Sequence, residues 1–193
     1  MYNHDVGNPI DGKRDTTMGK CLVAYFSRRG SNYVNGKIVD LKEGNTEYMA
    51  KMIQGLTDAD IFEIKPVKPY PDDYRQTAEV ATLEKLNNIR PQLAAVLKSA
   101  DAYDTLLLGY PNWCGTMPMA VFTFLDMHGW AGKIIMPFCT NEGSGMGHSE
   151  DDLKKMCPYA TITPGLEVPG HLVHESKPRV IEWLTANGVQ VKQ

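Results

Sequence analysis

Apolar and polar positions along the chain form a pattern of short buried strands separated by amphipathic helices. The runs that read as strands, because polar or turn residues bound their apolar positions, cover residues 21–26, 61–64, 105–110, 133–139 and, more weakly, 161–163. Helical spacing predicts helices over residues 45–56, 72–88, 91–97, 117–127 and 178–186. One more helix is predicted from Ser149, which has the spacing of a capping box with Asp152.

This alternation of strand and helix is typical of an α/β fold. It predicts a doubly wound five-stranded parallel sheet of order 2-1-3-4-5 with helices on both faces. In such sheets a ligand binds beyond the carboxyl ends of the strands, where the strand order reverses. The polar and glycine-rich residues of this chain follow the first, third and fourth strands, so we expect the functional site there.

The segment after the first strand is suited to hold a phosphate. Ser27 follows the strand, and a helix opens at Asn45 and Thr46, where unpaired backbone N–H groups and partial positive charge attract an anion. The alternative is that these residues only end the strand and cap the helix. A Walker loop is excluded because Ser31 stands where glycine is required, and the dinucleotide pattern G-x-G-x-x-G is absent after the strand. A mononucleotide fits better.

Composition narrows the class of partner and the compartment. The 193 residues are 42% hydrophobic, which suits one domain, and the net charge is −3 with no basic block longer than Arg28-Arg29, so we expect neither nucleic acid nor membrane insertion. The four cysteines are scattered without metal-site spacing, which predicts free thiols and a cytoplasmic protein with no metal. Residues 1–18 are polar and lack periodicity; we predict a flexible extension there and one domain over residues 19–193.

Two more loops carry candidate ligand contacts. Trp113 lies at the end of the third strand, where it could stack on a flat ring or pack against the following helix. The loop at residues 140–147 has three glycines, which allow a ligand to approach the backbone closely, although an ordinary turn is the alternative. A hydrolase elbow would need glycine where Glu142 stands, so Ser144 is a poor nucleophile candidate.

Together these motifs resemble those of the flavodoxin family. The resemblance rests on the sequences at residues 25–27, 44–46, 110–116 and 143–145, in order after the first, third and fourth strands, and it extends over about residues 21–184. It is strongest to divergent flavodoxins whose phosphate loop is interrupted between its serine and its Gly-Asn-Thr. The resemblance implies a flavodoxin-like fold and FMN as the cofactor.

Carried onto this chain, the resemblance implies three groups of FMN-binding residues. Those expected near the phosphate are Ser27, Asn45 and Thr46, with Arg28 as a charge partner, and Asn32 or Tyr33 of the insertion is a further candidate for contact with the cofactor. Those expected along the isoalloxazine ring are Pro111, Asn112, Trp113, Cys114 and Gly115. Those expected at the ring edge are Thr140, Asn141, Glu142, Gly143, Ser144 and Gly145. The path of the insertion at residues 31–43 stays open.

The implied function is electron transfer through FMN, with redox partner proteins or small-molecule acceptors as partners and no catalytic side chain. Glu142, if close to the ring, would lower the flavin potential by disfavouring the anionic reduced state. The isoelectric point near 5.9 is less acidic than expected of a carrier for basic partners, so an NAD(P)H-dependent FMN quinone reductase stays open as the alternative. A signalling receiver is disfavoured, since Gly109 and Tyr110 stand where a phosphoacceptor aspartate is needed.

Overall fold

The computed structural model describes residues 19–192, so the predicted extension at residues 1–18 lies outside the described residues. The strands are β1 Cys21–Tyr25, β2 Gly30–Val34, β3 Lys37–Leu41, β4 Asp60–Glu63, β5 Thr105–Pro111, β6 Ile134–Asn141, β7 Thr161–Ile162 and β8 Leu166–Pro169. The helices are α1 Asn45–Leu56, α2 Tyr74–Leu86, α3 Met119–Asp126, α4 Ser149–Met156 and α5 Lys177–Ala186, and a 3₁₀ helix covers Gly170–Glu175.

The main sheet is parallel, in the order β4-β1-β5-β6-β7, with β8 also paired to β6. β7 pairs with the start of β6 and β8 with its end, so the two segments share the fifth position of the sheet. The predicted order 2-1-3-4-5 is therefore confirmed, with its last strand broken. Pro164 lies at the break, and it has no N–H to donate to the neighbouring strand.

Both faces of the sheet are buried, as the near-continuous apolar strands require. In β1, Leu22 and Ala24 face one core and Val23 and Tyr25 face the other. The first core packs against α3 and α4, and the second packs against α1 and α5. α2 has only two buried residues, Thr77 and Ala81, so it lies at the margin of the sheet rather than over its centre.

The insertion after β1 folds as a β-hairpin outside the main sheet. β2 and β3 pair antiparallel, and Asn35 and Gly36 connect them with φ angles of 46° and 82°. Two successive residues with positive φ form the type I′ turn that matches the twist of a two-residue hairpin. The path of residues 31–43, which the sequence analysis left open, is therefore a β-hairpin closed by an Asn-Gly turn.

Two local predictions are wrong. Residues 91–97 form no helix; a single antiparallel bridge joins Leu93 to Pro66, where the Val67 N–H donates to Gln92 O at 2.8 Å and the Ala94 N–H donates to Lys65 O at 2.7 Å. Ser149 does not cap α4 but begins it, and its buried hydroxyl donates to Met146 O at 2.6 Å. Asp152 instead accepts a hydrogen bond from Thr116 at 2.7 Å.

Candidate functional site

A cavity of about 290 Å³ opens at the carboxyl ends of β1, β5 and β6, where the strand order reverses. Twelve of the sixteen predicted site residues line it: Ser27, Arg28, Asn32, Asn45, Thr46, Pro111, Asn112, Trp113, Thr140, Asn141, Glu142 and Ser144. The four that do not line it are Cys114, Gly115, Gly143 and Gly145. The parallel sheet therefore brings three loops, far apart in sequence, to one site.

One end of the cavity is the N-terminus of α1. The Ser27 hydroxyl oxygen accepts the Glu47 N–H at 3.0 Å, which leaves its own O–H free to donate into the cavity. A side chain at Gly44 would place Cβ 2.2 Å from this oxygen and 2.6 Å from Arg28 O, so only glycine permits this approach. The Thr46 hydroxyl lies 2.8 Å from that of Thr140, which joins α1 to the end of β6.

The acidic residue in the first turn of α1 is neutralised from outside the cavity. Glu47 is buried, and Arg29 donates to both of its carboxylate oxygens, at 2.5 and 2.8 Å. Lys51 donates to one of them at 2.7 Å. The hydrogen bonds from Arg29 lower the pKa of Glu47 to about 2. The helix N-terminus thus keeps its attraction for an anion despite this carboxylate.

Arg28 brings a fixed positive charge to the wall of the cavity. Its half-buried guanidinium donates to the carbonyl oxygens of Ser31, Pro71 and Asp72, the last two at 2.7 and 2.6 Å. Burial lowers the pKa of the guanidinium from its ordinary value, yet arginine stays charged at any physiological pH. Three neutral carbonyls orient this charge without cancelling it.

The indole of Trp113 forms part of the cavity wall. Its ring meets Phe26 and Tyr70 edge-on, at centroid distances of 5.1 and 5.0 Å. The ring therefore packs in an aromatic cluster and also lines the cavity, and its stacking on a flat ligand ring stays a prediction. Its loop turns tightly through Cys114 and Gly115, both with positive φ, which directs these two residues away from the cavity.

The third loop is fixed by contacts to its neighbours. Asn112 donates its side-chain amide to Gly145 O at 2.8 Å, and Asn141 accepts the Gly143 N–H at 2.8 Å. Gly147 has a φ of +57°, and an added Cβ would lie 2.2 Å from Gly115 O. Gly147 therefore serves close packing between two loops, whereas Gly143 and Gly145 have positive φ and open space around them. Glu142 and Ser144 reach the cavity.

Glu142 links the hairpin to the 3₁₀ helix across the cavity. Its Oε2 accepts the Asn35 N–H at 2.9 Å and lies 3.2 Å from Nδ1 of His171. Its Oε1 is buried and has no hydrogen-bond partner among the described residues. A side chain at Gly170 would place Cβ 2.5 Å from this Oε1 and 2.3 Å from Nδ2 of Asn45, so glycine makes room for both groups.

Three residues that line the cavity were not predicted from the sequence: Leu41, Tyr74 and Gly170. Leu41 comes with the hairpin, for which the Asn-Gly dipeptide at residues 35–36 is the available signal. Tyr74 begins α2 and stacks on Tyr33 at a centroid distance of 6.1 Å. Gly170 follows β8, the half-strand beyond the break, and no sequence pattern marks it.

Comparisons with known proteins agree with this geometry. A family model described as Flavodoxin matches residues 20–187. No curated protein matches the chain significantly.

In residues 19–192, no helix is both long enough and apolar enough to cross a membrane.

Solved structures give the same fold. A candidate flavoprotein from Bacteroides eggerthii is 27% identical with a TM-score of 0.71, covering 89% of this chain and 99% of that one. A candidate flavoprotein from Bacteroides uniformis is 28% identical with a TM-score of 0.68, covering 87% and 99%. A Lactobacillus acidophilus flavoprotein in complex with FMN is 20% identical with a TM-score of 0.57, covering 81% and 97%.

Proposed function

Because the chain belongs to the flavodoxin family, we propose that it is an electron-transfer protein that works through bound FMN. FMN is the cofactor that family membership implies. The observation that carries the proposal is the cavity at the switch point of the sheet, which has an anion-attracting end at α1 and an aromatic wall at Trp113. These two parts correspond to the phosphate and the flat ring of a flavin mononucleotide.

The α1 end fits a phosphate on several grounds. The first N–H groups of a helix have no partner within it, and their partial charge favours an anion. The hydroxyls of Ser27 and Thr46 and the amide of Asn45 add donors at the same end of the cavity. Arg28 adds a full positive charge. We therefore assign the phosphate of FMN to this end.

The opposite end fits the flavin ring. Trp113 offers an apolar face, held by its contacts with Phe26 and Tyr70. Between the two ends, the buried Oε1 of Glu142 lies near the side-chain amide of Asn45 and has no donor among the described residues, and a ligand N–H or hydroxyl placed beside it would supply one. We infer that the ring lies between the loops that carry these two residues.

When bound, FMN supplies the redox chemistry, and the chain controls its surroundings. Trp113 excludes water from part of the ring site. The carboxylate of Glu142 places negative charge in the cavity, which disfavours an added electron and lowers the potential of the cofactor. No side chain is required as an acid or base, and we assign no catalytic residue.

The test is FMN binding, measured from the visible absorbance and the quenching of flavin emission. The doubly substituted protein Ser27→Glu, Thr46→Glu puts two negative charges at the proposed phosphate end, so it should bind FMN at least a hundredfold more weakly. The matched control is Ser99→Glu, Thr185→Glu, which adds the same charges at two exposed positions away from the cavity. Equal affinity of the two proteins would refute the assignment, and wild-type protein that takes up no FMN would refute the function.

A second candidate function is reduction of a small acceptor, with NAD(P)H as the electron source. The observation that favours it is a side chamber of about 110 Å³ that adjoins the cavity beyond Trp113. Oxidation of NADPH by the FMN-loaded protein, with and without an acceptor, separates the two functions. We also propose that the protein is cytoplasmic. The four cysteines are free thiols, which supports a reducing compartment.

A further inference from the structure

The side chamber lies between the Trp113 loop and α2. It shares five lining residues with the main cavity: Arg28, Asn32, Tyr74, Asn112 and Trp113. Its remaining walls are Thr77, Ala78 and Ala81 of α2 and the exposed Cys114. A molecule in this chamber would therefore touch the same Trp113 and Arg28 as a molecule in the main cavity.

We propose that this chamber binds the ring of a monocyclic quinone as electron acceptor. The inference rests on the proposed function, because it needs reduced FMN in the main cavity as the electron source. The fully reduced cofactor, FMNH2, would give up two electrons and two protons and become FMN; the quinone would take up both, and its two C=O groups would become the C–OH groups of a hydroquinone. The chamber places the acceptor next to its reductant.

Size and shape favour one six-membered ring. An apolar cavity of about 150 Å³ holds benzene. The chamber has about 110 Å³ and opens at the exposed Ala78 and Cys114, so one ring fits while its substituents extend into solvent. The small side chains of Ala78 and Ala81 create this space on α2. A dinucleotide is far too large for the chamber.

The chemistry of the walls favours an oxygen acceptor on that ring. Arg28 is the charged residue that lines the chamber, and no carboxylate lines it among the described residues. Its guanidinium has five N–H groups, and three recorded hydrogen bonds to carbonyl oxygens leave donors for a ligand. The same charge stabilises the phenolate character that develops as the quinone is reduced.

Ala78→Phe fills the chamber from an exposed position, so it should block the acceptor without entering the core. Gln76→Phe is the matched control, since Gln76 is exposed on the same helix but does not line the chamber. The probe is duroquinone, because methyl groups on its four non-carbonyl ring carbons suppress addition of the Cys114 thiol. Binding to the oxidised FMN-loaded protein is followed by saturation transfer to the methyl protons.

We expect a duroquinone signal with wild type and Gln76→Phe, and at least a tenfold loss of affinity in Ala78→Phe, with FMN affinity equal in all three. Ala78→Leu decides the question if the phenylalanine variant does not fold by circular dichroism. Equal duroquinone binding in the blocked variant overturns the inference, as does weaker FMN binding, which would place the flavin itself in the chamber. FMN-loaded wild type without a duroquinone signal overturns the inference alone, whereas failure to take up FMN overturns the proposed function first.

Discussion

Substitution of Glu47 by glutamine should weaken the fold by an amount that depends on pH. Glu47 has a side chain only 4% exposed, and it accepts two hydrogen bonds from Arg29 and one from Lys51. These contacts hold the pKa of its carboxyl near 2, against an ordinary value of 4.5. Glutamine keeps the shape but loses the charge, and it leaves two cations beside a neutral amide.

The magnitude follows from linkage between protonation and folding. A pKa lowered from 4.5 to about 2 corresponds to about 3 kcal/mol of the free energy of unfolding at neutral pH. Arg29 and Lys51 are more than half exposed, so solvent screening reduces the expected loss to about 1–2 kcal/mol. Because the pKa is lower in the folded state, this contribution is complete above pH 4.5 and disappears as the pH falls towards 2.

The assay is urea unfolding of wild type and Glu47→Gln at pH values from 7 down to 3. The difference in free energy of unfolding should be largest at pH 7 and should shrink below pH 4.5. Glu43→Gln is the control, because Glu43 also accepts from Lys51 but is 38% exposed, so it should cost under about 0.5 kcal/mol. A difference that stays constant from pH 7 to pH 3 would refute the electrostatic reasoning, since a packing defect does not titrate.

Two further predictions concern the cavity. Gly44→Ala forces Cβ to within 2.2 Å of the Ser27 oxygen, so FMN affinity measured by emission quenching should fall at least tenfold. Gly55→Ala, inside the helix that Gly44 precedes, meets nothing within 4 Å and should leave the FMN affinity unchanged, and equal losses would contradict the steric argument. Glu142→Ala removes the acceptor of the Asn35 N–H, and a hydrogen bond to a charged group contributes about 1.5–3 kcal/mol, so amide exchange at Asn35 should accelerate at least about tenfold while β1 is unaffected. Unchanged exchange at Asn35 would show that Glu142 does not hold the hairpin.

The strand order of the main sheet and most of the cavity lining could be predicted from the sequence, because both depend on local pattern. Buried parallel strands are apolar on successive positions, and residues at their carboxyl ends meet at one edge whatever the loops between them do. Ser27, Trp113 and Glu142 could therefore be placed at one site from their positions after three strands. Whether these residues bind FMN stays a prediction until binding is measured.

The errors arise where a contact distant in sequence overrides the local pattern. Residues 91–97 have helical spacing, yet Gln92 and Ala94 bond to Val67 and Lys65, more than 20 residues away, and no helix forms. Ser149 has capping-box spacing with Asp152, yet its buried hydroxyl donates to Met146 O and lies 2.9 Å from that of Tyr110. The pairing with residues 65–67 and the contact with Tyr110 both lie outside any local window of sequence, so the pattern could not reveal them.

The hairpin after β1 adds a wall to the cavity that the main sheet does not supply. It separates Ser27 from Gly44 in sequence, but the fold restores their contact, since an added Cβ at Gly44 would collide with the Ser27 oxygen. The inserted segment then returns to the cavity as a wall, through Tyr33 on Tyr74 and through the Asn35 turn held by Glu142. A protein partner approaching from that side would meet the hairpin, whereas a small acceptor can enter beside α2. The two sides of the cavity thus offer different surfaces to an electron partner, and oxidation of NADPH by the FMN-loaded protein, with and without a small acceptor, decides between the two proposed functions.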